Sequence, residues 1–459
     1  MGKSIIFGKP KTSLTDFKSK NPQWELLLDI GELAKNENKN WTWEGSEINP
    51  LDPTRALIRL SDGGSDASEI REFDLLKKEF VPNGFFLPLS KGYMTWKDRD
   101  HVFVSPAQTK SQVTASGYPR TVRLLKRGED ILNSPVILEA RAQDMNVRAS
   151  VAHRPEGSYT ILRQILNFYE YNTWVLNSNG SKVKVPFQDA RLYGIFKNKL
   201  IIALQSPFEE IKAGSLIAIR FDKLLGENPE ILPGDCEILF TPTLSTSLEN
   251  VILTKNYLLP VISTNTLPAL YRIKESPLKT WTLEQIKIAG SPLVSRVIPE
   301  EGTDEILIYA QDILTPTQII HTKLSRQSVK NETLFELKPF FDAKKYQYSR
   351  YETLSEDGTT IPYFVIAPRN LSLNSQNPTL LYGYGGFRIS LAPDGYNPLL
   401  GKTWLEKGGV YVIANIRGGG EFGPDWHKSA IKMNKIKSYQ DFASVARDLT
   451  KRHITTKDK

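Results

Sequence analysis

The sequence predicts a large all-β unit followed by the beginning of an α/β unit, and three observations carry that prediction. Short apolar strands separated by turn residues run from about residue 24 to 336. An Asp-Gly pair at 357–358 then lies between two apolar runs, which is a strong hairpin signal. Finally, two apolar runs within 379–420 each end in glycines, the pattern of parallel strands joined by a crossover helix.

The spacing of the strands predicts the architecture of the first region. Strands of this length, bounded by residues such as Gly63 and Gly84, are typical of an all-β sandwich or of repeated small sheets. A four-stranded propeller blade takes about 40 to 50 residues, so 24–336 has room for about seven blades. Packed β-sandwiches of about 100 residues each are the alternative.

The region after residue 340 has the element order of an α/β-hydrolase sheet. A hairpin at 348–367 precedes the two glycine-ended strands, and the segment ending at Gly408 favours a short helix between them. We expect a second helix from Ser438, with the Ser438 hydroxyl as its cap. The strand at 410–416 is apolar on both faces, and we expect it to lack one neighbour, which leaves an exposed edge.

The next element of that fold carries the nucleophile in a G-x-S-x-G elbow. The sequence contains no such motif; the nearest match, Gly-Gly-Ser-Asp-Ala at 63–67, lacks the last glycine. Because these residues lie between two strands, they indicate a plain turn.

Composition excludes several classes of protein. The single cysteine, Cys236, rules out an intrachain disulfide and a cysteine-based zinc cluster. No run approaches 18 apolar residues, and the patch at 5–7 is too short for a signal peptide core, so a cytoplasmic location is favoured. The net charge of +8 concentrates in 428–459, which hold nine Lys or Arg against three Asp. Since Tyr439 and Phe442 suit the buried face of a helix, we expect a solvated basic surface and no nucleic-acid partner.

Three segments resemble the prolyl oligopeptidase family of serine peptidases, in its bacterial branch. They are LLYGYGGF (380–387), ANIRGGGEFG with the following WHK (414–428), and YETLSEDGTTIPYFVIAP (351–368). The resemblance implies a seven-bladed β-propeller, residues 1–342, followed by the N-terminal part of an α/β-hydrolase domain, residues 343–459. It also implies that peptides are cleaved at a Ser-His-Asp site between the two domains.

The chain departs from the family pattern at the catalytic triad. The family's serine lies in a GGSNGG elbow, which would follow Lys459, so serine, aspartate and histidine are all absent from this sequence. We therefore expect the chain to be inactive alone, as a fragment or as one half whose second chain carries the rest of the hydrolase domain. A non-catalytic propeller that binds peptides or a partner protein is the alternative function.

The resemblance assigns roles to two aromatic residues. Tyr384 corresponds to the tyrosine that donates its hydroxyl to the oxyanion, and Phe387 to an aromatic of the proline-binding S1 pocket. A buried ring beside a turn and a core phenylalanine are the respective structural alternatives. Arg417 is predicted to pair with a carboxylate and brace its loop. The histidines lack ligand spacing and the glycine loops match no phosphate-binding motif, so we expect neither a metal nor a cofactor.

Overall fold

The structure is a computed structural model that describes residues 6–10, 24–177, 180–225, 230–275, 281–290, 292–300 and 302–459. Ile5, the first residue of the apolar patch that is too short for a signal peptide core, lies outside the described residues. The chain divides into two compact units. The first unit comprises 1–190, 194–200 and 219–235, and the second comprises 191–193, 201–218 and 236–459.

Four antiparallel sheets lie in the first unit: β1-β2, then β3-β4-β5-β6 with β7 on β5, then β8 to β11 and β12 to β15. Helix α1 (Ile30–Glu37), which the sequence pattern did not reveal, begins after Asp29, whose carboxylate accepts from the Glu32 amide at 3.0 Å. The strands are β1 (Ile6–Pro10), β2 (Trp24–Asp29), β3 (Trp41–Asn49), β4 (Asp52–Asp62), β5 (Ser68–Asp74), β6 (Glu79–Phe80), β7 (Phe86–Ser90), β8 (Tyr93–Trp96), β9 (His101–Ser105), β10 (Thr121–Lys126), β11 (Val136–Glu139), β12 (Asn146–Arg154), β13 (Gly157–Ile165), β14 (Tyr171–Leu176) and β15 (Lys182–Lys184).

Three more sheets complete the all-β region. Their orders are β16-β17-β18-β19, β20-β21-β22-β23 and β24-β25-β26-β27, each following the chain. This order arises because each strand forms a hairpin with the next. The strands are β16 (Arg191–Phe196), β17 (Lys199–Ala203), β18 (Leu216–Arg220), β19 (Cys236–Phe240), β20 (Thr246–Leu253), β21 (Leu258–Thr264), β22 (Leu267–Glu275), β23 (Trp281–Gln285), β24 (Leu293–Pro299), β25 (Glu305–Gln311), β26 (Gln318–Leu324) and β27 (Val329–Glu336).

Seven sheets thus precede residue 340 among the described residues, and all but β1-β2 have at least four strands. The repetition of four-stranded meanders is that of propeller blades rather than of sandwiches, where strands return to a facing sheet. The sequence prediction of an all-β region is confirmed. The domain boundary at 342–343 stays a prediction.

The last sheet has the order β28-β29-β31-β30. Strands β28 (Tyr346–Leu354) and β29 (Thr360–Pro368) form the expected hairpin, and β30 (Thr379–Gly383) runs parallel to β31 (Val410–Ala414). Ile361, Tyr363, Val412 and Val445 belong to its apolar core. The helices are α2 (Pro398–Thr403), α3 (Pro424–Lys428) and α4 (Ile436–Lys451), and 3-10 turns lie at Lys110–Gln112, Ile131–Asn133, Phe221–Leu224, Pro233–Asp235, Ala343–Lys345, Leu405–Lys407 and Lys432–Asn434.

The position of the open edge differs from the sequence prediction. Strand β31 pairs with β29 on one side and with β30 on the other, so it does not lack a neighbour. The edge strand next to β31 is β30, where Leu380 and Tyr382 are about half exposed; β28 forms the opposite edge. Apolar character on both faces of β31 reflected its central position, because central parallel strands are covered on both faces.

Two expectations about α4 are also wrong. The helix begins at Ile436, and the Ser438 hydroxyl donates to the Arg417 carbonyl at 2.7 Å instead of capping the helix. Tyr439 is exposed, whereas Phe442 packs against the apolar core as expected. A serine with an acidic residue three positions later is a capping signature. Here, however, the side chains of Ser438 and Asp441 both form hydrogen bonds with Arg417.

Candidate active site

Two glycine-rich loops follow the parallel strands of the last sheet. We call residues 383–388, which begin at the last residue of β30, the first glycine loop, and residues 417–423, after β31, the second glycine loop. The carboxyl ends of neighbouring parallel strands lie at the same edge of a sheet, so the two loops are neighbours. In open α/β sheets this edge is where ligands bind.

The first glycine loop exposes its two aromatic side chains. Tyr384 is 43% exposed and Phe387 is 56% exposed. Within the described residues, the Tyr384 hydroxyl makes no hydrogen bond. Phe387 and Arg388 have φ of 52° and 59°, in the left-handed region that side chains disfavour. The loop therefore holds a strained backbone and presents a free O–H donor to solvent; strain of this kind is found most often at functional sites.

Arg417 connects the second glycine loop to the hairpin and to α4. Its guanidinium donates to both oxygens of Asp441, with a shortest distance of 2.6 Å, and to Asp357 at 2.6 and 3.1 Å. The Asp441 side chain is fully buried, and it also accepts from the Ser355 hydroxyl at 2.6 Å. The prediction that Arg417 pairs with a carboxylate and braces its loop is confirmed.

The ion pairs shift the ionisation of this cluster. Hydrogen bonds from Arg417 hold the pKa of Asp357 well below its usual range. Hydrogen bonds to Asp441 and then Asp357 raise the pKa of Arg417, against the opposing effect of burial. Arg417 and Asp357 therefore favour their charged forms, and the ion pairs of Arg417 hold the second glycine loop to the hairpin and to α4.

The two glycine loops touch through their backbones. Gly385 has a φ of 59°, and a Cβ there would lie 2.6 Å from Ile416 Cγ1. A Cβ on Gly418, whose φ is 97°, would lie 2.4 Å from the Gly385 carbonyl oxygen. Lys435 Nζ donates to that carbonyl and to the Ser438 hydroxyl, and burial lowers the pKa of the Lys435 ammonium. Only glycine fits at the contact, and Lys435 fixes the carbonyl next to Tyr384.

His427 supports the second glycine loop from α3. It is 1% exposed, and its Nδ1 lies 2.7 Å from the Gly418 carbonyl oxygen. Burial lowers the pKa of the imidazole, so the ring is neutral near pH 7 and Nδ1 carries the proton that the carbonyl accepts. His427 therefore has a structural role at this loop, consistent with its lack of a partner histidine in the sequence.

Three acidic residues near the loops were missed by sequence reasoning. Burial is the main cause that raises the pKa of Glu249 to about 7 and that of Glu421 to about 7, and it also raises the pKa of Asp394. The Ser390 hydroxyl donates to Glu249 Oε2 at 2.9 Å, and the Leu391 amide donates to Glu421 Oε1 at 3.1 Å. Glu421 follows the glycines, which was a usable signal; Glu249, alone in a strand, offered none.

The described part of the chain contains no group of three or more His, Cys, Asp or Glu side chains arranged to hold a metal ion. Within the same residues, no helix has the length and apolar character needed to cross a membrane.

Fold and site define the class: a β-propeller region followed by the first part of an α/β-hydrolase domain. Residues 4–332 match the family model described as the prolyl oligopeptidase N-terminal beta-propeller domain, and residues 400–459 match the prolyl oligopeptidase family model. The chain belongs to the prolyl oligopeptidase family. The propeller predicted from strand spacing is thereby confirmed, and the β-sandwich alternative is wrong.

Proteins similar to this chain include peptidases, in agreement with this assignment. An uncharacterised peptidase of Sinorhizobium fredii is 33% identical over 97% of this chain and 62% of its own length. One of Rickettsia prowazekii is 31% identical over 97% of this chain and 63% of its own length. A solved structure, a post-proline cleaving enzyme from Rickettsia typhi, shares 30% identity at a TM-score of 0.88, covering 97% of this chain and 66% of that one. This chain thus spans less than two thirds of the curated relatives' length.

Proposed function

We propose that this chain is the propeller-bearing part of a serine-type peptidase that cleaves short peptides, and that Tyr384 donates a hydrogen bond to the oxyanion. One observation carries the proposal: the half-exposed Tyr384 hydroxyl has no partner among the described residues and follows the edge strand β30 directly. A hydroxyl that is free in the resting state is available to the charge that develops on a substrate carbonyl.

The surroundings of Tyr384 supply the rigidity that such a donor needs. The next residue, Gly385, is held by Lys435 and by close packing against Gly418. An oxyanion donor is effective when it is already oriented before the negative charge forms, because no reorganisation then occurs during the reaction. The contact between the two glycine loops would provide this orientation.

Phe387 is the proposed contact for the substrate side chain before the scissile bond. Its ring is more than half exposed, so it has apolar surface to offer a ligand. A proline ring is compact and apolar and packs favourably on an aromatic face. Two kinds of relatives support a preference for proline: the Rickettsia typhi structure is described as a post-proline cleaving enzyme, and a prolyl endopeptidase of Elizabethkingia miricola is 34% identical over 190 residues.

We further propose that a second polypeptide supplies the nucleophile and base and adds strands to β30. Leu380 and Tyr382 leave the outer edge of this strand apolar and half exposed, and Met433 and Ile436 are exposed on the neighbouring segment. An open apolar edge is a surface to which another strand can add. Without that polypeptide the oxyanion donor alone gives at most a residual rate.

The test uses the chain alone and then the chain with a polypeptide carrying the remainder of the Sinorhizobium fredii relative. We expect the chain alone neither to cleave a fluorogenic peptide with proline before the scissile bond nor to react with a serine-directed phosphonate. In the two-chain mixture, we expect Tyr384→Phe to lower kcat about 10- to 1000-fold with little change in KM, because the oxyanion exists mainly in the transition state.

Tyr382→Phe is the matched control, since Tyr382 is equally exposed and lies two residues earlier on the same edge. It should retain kcat, and thermal unfolding should be the same for both variants. Turnover by the chain alone with phosphonate labelling would contradict the need for a second polypeptide. Full turnover of the Tyr384→Phe mixture would show that Tyr384 is a packing residue. If no mixture is active, the non-catalytic, peptide-binding alternative gains support.

A further inference from the structure

A cavity of about 310 Å³ lies within the second unit. Its walls come from β20 and β24, the first strands of two successive sheets, from β21 with the turn into β22, and from the segment 390–394 after the first glycine loop. The volume is at the lower end of the range for ligand sites, so the occupant would be a small molecule. Neither Tyr384 nor Phe387 lines this cavity.

Two β-bulges shape the cavity wall. In β20 the register passes from Leu248 to Asn250, which leaves Glu249 as the extra residue. In β24 it passes from Val294 to Arg296, which leaves Ser295 as the extra residue. A bulge breaks the alternation of side chains between the two faces, so consecutive residues can face one side. Bulges re-aim side chains, and the extra residues of both bulges, Glu249 and Ser295, line this cavity.

The cavity contains acidic and basic side chains that have no ion-pair partner among the described residues. Glu249 accepts hydrogen bonds from the hydroxyls of Ser390 at 2.9 Å and Ser247 at 3.2 Å, but it forms no ion pair within the described residues. Asp394, half-buried, and Arg296, exposed, also line the cavity, and neither makes an ion pair or side-chain hydrogen bond among those residues. Charged groups in a partly closed cavity lose hydration, and a ligand of matching charge would compensate that loss.

We propose that this cavity binds a small zwitterion, a free amino acid or a dipeptide, with its ammonium group beside Glu249 and Asp394 and its carboxylate on Arg296. Arginine suits the carboxylate because its planar guanidinium can donate two parallel hydrogen bonds. Two carboxylates suit the ammonium because its positive charge relieves the repulsion between them. Ser263 and Ser295, which carry polar hydroxyl groups, also line the cavity.

The test is calorimetric titration of the chain with L-alanyl-L-alanine, its N-acetyl derivative and its C-terminal amide. We expect the dipeptide to bind, and each blocked derivative to bind at least tenfold more weakly, because each lacks one of the two charges. Asp394→Asn and Arg296→Gln should each weaken binding of the dipeptide about tenfold or more. Arg326→Gln, at an exposed arginine in the turn between β26 and β27, is the matched control and should bind as the parent does.

A pH series separates the role of Glu249 from general charge effects. The groups that act on the Glu249 carboxyl are Asp394 and Arg191, with Glu421 nearby. Because an ammonium ligand favours the ionised form of a carboxyl whose pKa is about 7, we expect the dipeptide affinity to increase severalfold between about pH 6 and 7.5. Absence of binding at about 10 mM dipeptide, equal affinity for the blocked derivatives, or unchanged affinity in Arg296→Gln would each overturn the proposal, provided that thermal unfolding shows the variants to be folded.

Discussion

The two glycine loops follow parallel neighbouring strands and look alike in sequence, yet the side chains of the first are exposed and those of the second are buried. The first presents Tyr384 and Phe387 to solvent on a backbone with positive φ at Phe387. The second is buried, and its Arg417 and Glu421 side chains are almost fully covered. The two loops therefore differ in the exposure of their side chains, although glycines of both loops form the close contact between them.

The contrast indicates that one loop supports the other. Lys435 holds the exposed loop at the Gly385 carbonyl, and its backbone lies close to the buried loop at two places, Gly385 against Gly418 and Arg388 against Gly420. The buried loop is tied by Arg417 to the hairpin and to α4, and by His427 to α3. The buried loop thus restrains the backbone of the segment that carries Tyr384. Substitutions at Arg417, Glu421 and Lys435 test whether one loop stabilises the other.

The largest effect should come from Arg417→Met. The change leaves the Asp441 carboxylate buried without its ionic partner, which typically costs about 3 to 5 kcal/mol. We expect the urea midpoint of the unit that contains β28 to β31 to fall accordingly, measured by tryptophan fluorescence. The control is Arg447→Met, which removes an exposed pair with Glu356 and should cost less than about 1 kcal/mol. Equal midpoints for the two variants would show that the brace does not stabilise the second glycine loop.

A smaller, pH-dependent effect should come from Glu421→Gln. The pKa of Glu421 in the folded protein is about 7, above its ordinary value of 4.5, so the protonated form is favoured by folding. The associated stability is fully present below about pH 4.5 and is lost as pH rises through about 7. The glutamine cannot ionise and keeps the acceptor for the Leu391 amide, so the variant should match the parent at pH 5 and exceed it by about 1 to 3 kcal/mol at pH 8.5.

The matched control for that change is Glu356→Gln, at an exposed carboxylate with partners on α4. Its stability difference from the parent should be small and should not grow between pH 5 and 8.5. If thermal melts show no gain in stability for Glu421→Gln at pH 8.5, the Glu421 carboxyl ionises in the folded protein without an energetic cost. That result would contradict the burial of this carboxyl in the second glycine loop.

Much of this fold follows from local sequence signals. The Asp357-Gly358 pair gave the hairpin between β28 and β29, since Gly358 has the positive φ that the turn requires. The glycines after each apolar run predicted the two loops. The position of Arg417 after β31 predicted an ion pair that braces the second loop. Short-range rules succeeded here because turns and strand ends depend on a few adjacent residues.

The misses have tertiary causes. Strand order is set by long-range pairing, so the sequence could not show that β30 and not β31 is the edge. Ser438 has the spacing of a cap, yet its hydroxyl bonds to Arg417, 21 residues earlier. Glu249 gains its environment from a bulge and from Ser390, which lies 141 residues later. No pattern within one strand records such contacts.

The most direct test of the support given by one loop to the other is hydrogen exchange in Lys435→Met. This variant keeps the apolar stem but loses the donor to the Gly385 carbonyl, a charge-assisted hydrogen bond worth about 1.5 to 3 kcal/mol. We expect amides within 384–389 to exchange at least tenfold faster, while those of β28 to β31 stay as slow as in the parent. Lys437→Met, two residues later in the first turn of α4, loses only a long ion pair with Asp357 at 3.7 Å and should leave 384–389 unchanged. Unchanged exchange of 384–389 in Lys435→Met, or equal acceleration in both variants, would contradict the account.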